Sequence, residues 1–86
     1  MAKLTKKEQA WLDELQEVLN RCPSKRLGFY TIGDPQVVVY DLTKESKIDS
    51  LLDSGDASDW CDGVAQAGAD FCEWLDFPAP VHSTAG

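Results

Sequence analysis

Residues 27–42, LGFYTIGDPQVVVYDL, leave this chain few choices. Phe29, Tyr30, Thr31 and Ile32 on one side, and Val37, Val38, Val39 and Tyr40 on the other, are β-branched or aromatic, the side chains that suit a pleated surface. Between them Gly33, Asp34, Pro35 and Gln36 carry turn chemistry. Runs this close in sequence imply an antiparallel hairpin. Both runs are almost continuously apolar, so at least one face of the hairpin needs a cover. A chain of 86 residues has little to spare for it, because a domain of that size buries only about 60–65% of its unfolded surface.

The expected cover is the segment before the hairpin. Thr5 followed three residues later by Glu8 has the spacing of a capping box. Trp11, Leu15, Val18 and Cys22 follow at helical spacing, flanked by Leu4, Leu12 and Leu19, and form an apolar stripe against a charged opposite side. Pro23 closes the helix. After the hairpin, Thr43 is a plausible cap for a second helix over 43–53 with Ile48, Leu51 and Leu52 inward, and Gly55 stops it. Asp56 or Ser58 then caps a third helix through ASDWCDGVAQAG, ended by Gly68. ADFCEWL, residues 69–75, alternates as a third strand. The order α-β-β-α-α-β predicts an α+β fold: a small antiparallel sheet, hairpin plus C-terminal strand, packed by three helices. The last strand has two possible edges to join. Residues 1–78 form one domain in this reading, and 79–86, rich in Pro, Ser and Gly, a flexible tail.

Charge narrows the partners. The net charge is −7, unevenly spread. Residues 1–28 carry six Lys and Arg against four acids, whereas no Lys or Arg follows Lys47 and eight acids do. That balance disfavours a phosphate backbone, which needs clustered cations, and an anionic membrane surface. No apolar run reaches the roughly 18 residues of a membrane span, and no apolar segment follows the N-terminal lysines as in a secretory signal. Three cysteines, Cys22, Cys61 and Cys72, without such a signal suit reduced thiols in a cytoplasmic protein.

Within the acidic half, DSGDASDWCD (53–62) sets Asp53, Asp56, Asp59 and Asp62 at every third position. A calcium loop needs oxygens at alternate positions and a distal bidentate glutamate, neither of which is present. A catalytic carboxylate pair needs environments that split two pKa values, and these aspartates sit among Ser, Gly and Asp. Helix capping explains the spacing best, since carboxylates answer the free N–H groups of a helix start. Capping does not require the absence of every cation after Lys47. Eight uncompensated charges cost self-repulsion, which a basic partner steered in by the field would relieve at an acidic docking face. The candidate contact residues are Asp49, Asp53, Asp56, Asp59, Asp62, Asp70 and Glu73, with Trp60, between Asp59 and Asp62, as the aromatic anchor.

Other constellations carry less. Cys61, Cys72 and His82 are separated by ten and nine residues, without the close Cys pair of structural zinc, and the two cysteines read as small buried apolar residues. No nucleophile has a rigid base beside it, and no phosphate-cradling loop is present, so no catalytic residue, metal or cofactor is assigned. Trp11 and Trp74 read as core. The hairpin edge offers strand pairing to another chain, and the basic PSKRLG before it offers a head-to-tail contact with the acidic half of a second copy.

At RLGFYTIGDPQVVVYDL and FPAPVHSTAG the sequence resembles small accessory proteins of the early regions of lambda-like phages and enterobacterial prophages. The resemblance implies a bacterial cytoplasm and a dispensable role in adjusting host or phage regulation by binding a protein, and it carries over no catalytic or ligand residue. The leading expectation is a non-enzymatic acidic protein that modulates a host protein, as a nucleic-acid mimic in its sharper form. The alternative is an oligomerisation module working through hairpin edge and helix faces, its acids serving only solubility.

Overall fold

The computed structural model describes residues 2–82. Helix α1 (Lys6–Asn20) opens on the expected capping box: the Glu8 N–H donates to Thr5 Oγ1 at 3.1 Å and the Thr5 N–H donates to Glu8 Oε1 at 2.8 Å. Strands β1 (Leu27–Tyr30) and β2 (Gln36–Asp41) form the antiparallel hairpin, and β3 (Asp70–Asp76) joins the free edge of β2, giving the order β1-β2-β3. A short 3-10 turn, Leu42–Lys44, leads into α2 (Glu45–Ser54), and α3 (Trp60–Gln66) precedes β3. The α-β-β-α-α-β order and the α+β class are those expected.

Register fixes the faces of the sheet. Gly28 opposes Tyr40, and Tyr30, Val38 and Trp74 form one row across the three strands. This side meets α2 and α3. Tyr40, Ile48, Val64, Ala67 and Ala69 form the buried cluster, with Tyr30, Leu51, Leu52 and Trp60 packed against it. Connectivity explains the choice: α2 and α3 lie between β2 and β3 in sequence and are tied to the sheet at both ends. Two glycines make the packing possible. A Cβ on Gly28 would stand 2.6 Å from Tyr40 Cε1, and one on Gly63 3.0 Å from Ile48 Cγ2.

The other face of the sheet, with Phe29, Val37, Val39 and Leu75, is only partly covered. The first helix does not cover it as expected. No residue of α1 is buried; Trp11 is 51% exposed, and only Leu15 is half-buried. The helix instead has Trp11, Leu15 and Leu19 facing Leu75, Phe77 and Pro78 across a cleft of about 180 Å³. It is tethered at one end alone, through residues 21–26, and nothing holds its stripe on the sheet. The chain measures 49 × 29 × 20 Å.

Three local expectations are corrected. The turn before α2 is capped by Asp41, which accepts the Thr43 N–H at 3.1 Å, so Thr43 donates rather than caps. The cap of α3 is Asp59, one residue past Ser58. Cys61 and Cys72 are exposed free thiols, as is Cys22. The stops at Gly55 and Gly68 stand, with φ of 80° and 68°. Past β3 the Phe77 N–H donates to Pro35 O at 2.7 Å and the Val81 N–H to Asp34 O at 3.1 Å, so the chain follows the hairpin turn. The last four positions of the expected tail lie outside the described residues.

Candidate functional site

Helix α2 places Glu45, Asp49 and Asp53 four residues apart, hence along one row, and all three are exposed. The left-handed Gly55 turns the chain sharply, and Asp56 follows in the connection, its Oδ2 accepting the Ser54 hydroxyl at 2.9 Å. Asp59 Oδ1 accepts the Asp62 N–H at 2.9 Å. Asp62 Oδ2 in turn accepts the Ser58 N–H at 2.9 Å and the Gln66 amide at 3.0 Å. The Ser58 backbone N–H, reinforced by Gln66, holds the Asp62 carboxyl below the usual carboxylate range.

The acidic residues therefore divide by what they are tied to. Asp59 and Asp62 spend their oxygens on the start of α3, the local capping that the spacing suggested. Asp49 and Asp53 have no ion-pair partner among the described residues, where the one ion pair joins Arg26 Nε to Asp41 Oδ2 at 3.3 Å. Asp70 lies in the same cross-strand row as Tyr40, and its Oδ1 accepts the Cys72 N–H at 2.8 Å. Glu73 opposes Val39 and so projects from the other side of the sheet, beside a shallow groove lined by Arg26, Leu27 and Phe71. The fold does not unite all seven acids. Asp49, Asp53, Asp56 and Asp59 follow one another along α2 and its connection to α3, and Glu73 stands apart on the other side of the sheet.

Trp60 is not the exposed anchor. Its indole packs edge-on against Tyr40 at 5.5 Å and against Tyr30 at 6.3 Å, and the two tyrosines meet edge-on at 5.8 Å. Its Nε1 is buried without a hydrogen-bond partner, a cost the aromatic packing has to offset. Burial, with the neighbouring Cys61 thiol second, pushes the Tyr30 hydroxyl up to about 12. The tryptophans that do reach the surface are Trp11, on α1, and Trp74, 52% exposed at the end of its row.

Sequence reasoning missed one polar centre. Asp41 is 5% exposed. It accepts the Thr43 hydroxyl, the Thr43 N–H and Arg26 Nε, and the Thr43 hydroxyl leads the groups that hold its carboxyl low. Arg26 also lies over the Phe71 ring, 4.7 Å from the centroid. Phe71 reaches that position because β3 bulges: Tyr40 pairs with Asp70 but Val39 pairs with Glu73, leaving Phe71 and Cys72 unmatched, and Cys72 takes φ 57°. The D-x-T spacing of Asp41 and Thr43 was the available signal.

Among the described residues no three His, Cys, Asp or Glu side chains converge as metal ligands, and no helix is long and apolar enough to cross a membrane. No family of known proteins matches the chain, and neither a curated protein nor a solved structure matches it.

Proposed function

We propose that this chain is a non-enzymatic, acidic binding protein that docks on a basic surface of another protein through Asp49, Asp53, Asp56 and Asp59. The observation that carries the reading is the exposed row Glu45, Asp49 and Asp53 on α2, in a chain that places no Lys or Arg after Lys47. Like charges four residues apart cost a helix about 0.2–0.5 kcal/mol per pair, and capping α3 needs none of them. A cationic partner offsets that cost and is drawn in by the same field. Trp60 drops out of the contact set, since it belongs to the core. The resemblance to phage and prophage accessory proteins favours a host regulatory protein as the partner, in a bacterial cytoplasm. Mimicry of nucleic acid is the sharper form of this reading, with the α2 carboxylates standing in for phosphates.

The test is capture from bacterial lysate at low and high salt, using the parent and the triple variant Asp49→Asn, Asp53→Asn, Asp56→Asn, which spares both carboxylates bound to α3. A basic protein held by the parent at low salt, and lost at high salt or in the variant, supports the reading. Equal capture by parent and variant sinks it.

A further inference from the structure

The stripe on α1, interrupted near its start by Glu8, is only partly covered in its own chain. Leu4, Trp11, Leu12, Val18 and Leu19 are 40–55% exposed. The whole chain exposes 6751 Å², whereas a globular monomer of its 9.5 kDa mass exposes about 5,000 Å². The surplus of about 1,700 Å² is roughly twice the ~800 Å² that each partner gives to a standard interface. The radius of gyration, 15.7 Å, likewise exceeds the roughly 12 Å of a compact domain of this length.

We propose that α1 is the seam of a homodimer, in which the helices of two copies pack antiparallel through this stripe. The charges bordering it select both the partner and the direction. Lys7 and Glu8 border the hollow formed by Leu4, Trp11 and Leu12, Glu8 being held by the Thr5 N–H, and Glu14 borders the next one, formed by Trp11, Leu15 and Val18. Lys7 and Glu14 stand on the same edge of the stripe, seven residues apart. In an antiparallel pair that edge meets its own copy running the other way, so Lys7 of each chain comes opposite Glu14 of the other, twice by symmetry. A parallel pair would set them against the opposite edge, where Gln9 and Gln16 are neutral. Antiparallel packing also opposes the helix dipoles favourably. Helix α1 itself carries two lysines against four acids, so it is the Lys7–Glu14 pairing across the seam that offsets the repulsion between two molecules of charge −7.

The inference does not depend on the acidic docking face. Its test is sedimentation equilibrium of the full chain across micromolar to submillimolar concentrations, with far-UV circular dichroism to confirm folding. The parent should give about twice 9.5 kDa at the upper end. Lys7→Glu alone, or Glu14→Lys alone, sets like charges across the seam twice and should weaken the dimer by about tenfold; the two together should restore it. Trp11→Glu should weaken it at least a hundredfold while the core around Ile48 stays folded. A monomer at every concentration overturns the proposal, as does a dimer that the two charge reversals weaken additively. A monomer that still captures a basic protein in a salt-dependent way refutes the dimer alone and leaves the acidic face standing.

Discussion

Gly28→Ala is the sharpest probe of how the sheet meets the helices. By propensity the change should help, because alanine reduces the freedom of the unfolded chain and returns roughly 0.4–1 kcal/mol where its conformation fits. Geometry says otherwise. Gly28 stands directly opposite Tyr40, and a methyl group there would lie 2.6 Å from Cε1 and 2.7 Å from Cζ of that ring. The ring cannot swing clear, because Tyr30 and Trp60 hold it edge-on from two sides and it is 5% exposed. Overpacking of this kind costs about 1–3 kcal/mol, so the expected net loss is about 1–2 kcal/mol. A chain of this length has about 4–13 kcal/mol in all, and the variant should therefore fold and be measurable. Its urea midpoint should drop at unchanged slope, and Tm should fall by roughly 10 °C. Repeating the change in a Tyr40→Leu background removes the clash, and the two losses should then fall short of additivity by about 1 kcal/mol. A Gly28→Ala protein as stable as the parent, or strict additivity with Tyr40→Leu, would refute this account of the packing.

Ile48 is 0% exposed and touches the helix backbone at Gly63, so Ile48→Ala should cost about 2–5 kcal/mol by urea melting, and a loss below 1 kcal/mol would mean that the core lies elsewhere. Asp41 and Asp62 have lowered pKa values in the folded chain. Their contribution is complete above the ordinary carboxylate pKa of about 4 and is lost as pH falls through the lowered values. Asp41→Asn should therefore lower stability at neutral pH and flatten its decline below about pH 4, as read from urea midpoints across that range; an unchanged acid limb counts against the Arg26–Asp41–Thr43 arrangement.

Most of the fold was legible because its signals are local. Thr5 and Glu8 satisfy each other within one turn, Gly55 and Gly68 supply the left-handed residue a helix end requires, and the hairpin is written in adjacent residues. What failed depended on distant neighbours. The stripe from Leu4 to Leu19 says that α1 has an apolar side, but not what lies against it, and the same pattern serves a core or an interface. Trp60 looked like an anchor because charged residues flank it in sequence; as the first residue of α3 it turns inward to Tyr40 instead. The spacing of the acids pointed to a cap on α3 but at Asp56 or Ser58 instead of Asp59, and only register separates Glu73 from the others, since the bulge at Phe71 and Cys72 decides which side of the sheet it takes.

The two surfaces of this chain follow from one economy of connection. The sheet has two apolar sides and the chain has three helices, two of which are tied to the sheet at both ends and fill the same side. The third carries an apolar stripe long enough to help close the other side, but six residues at one end do not hold it there. Burying that stripe takes a second molecule, and the Lys7–Glu14 pairs across the seam offset part of the repulsion between two acidic chains. In the antiparallel dimer the seam is therefore made of residues near the N-terminus, while each α2 row of Glu45, Asp49 and Asp53 stays outside it. Both rows remain open to a cationic partner, so binding one protein with two faces gains from effective concentration without any new contact. On this argument Trp11→Glu should weaken capture of a basic partner that presents two sites, and leave capture of a single-site partner unchanged.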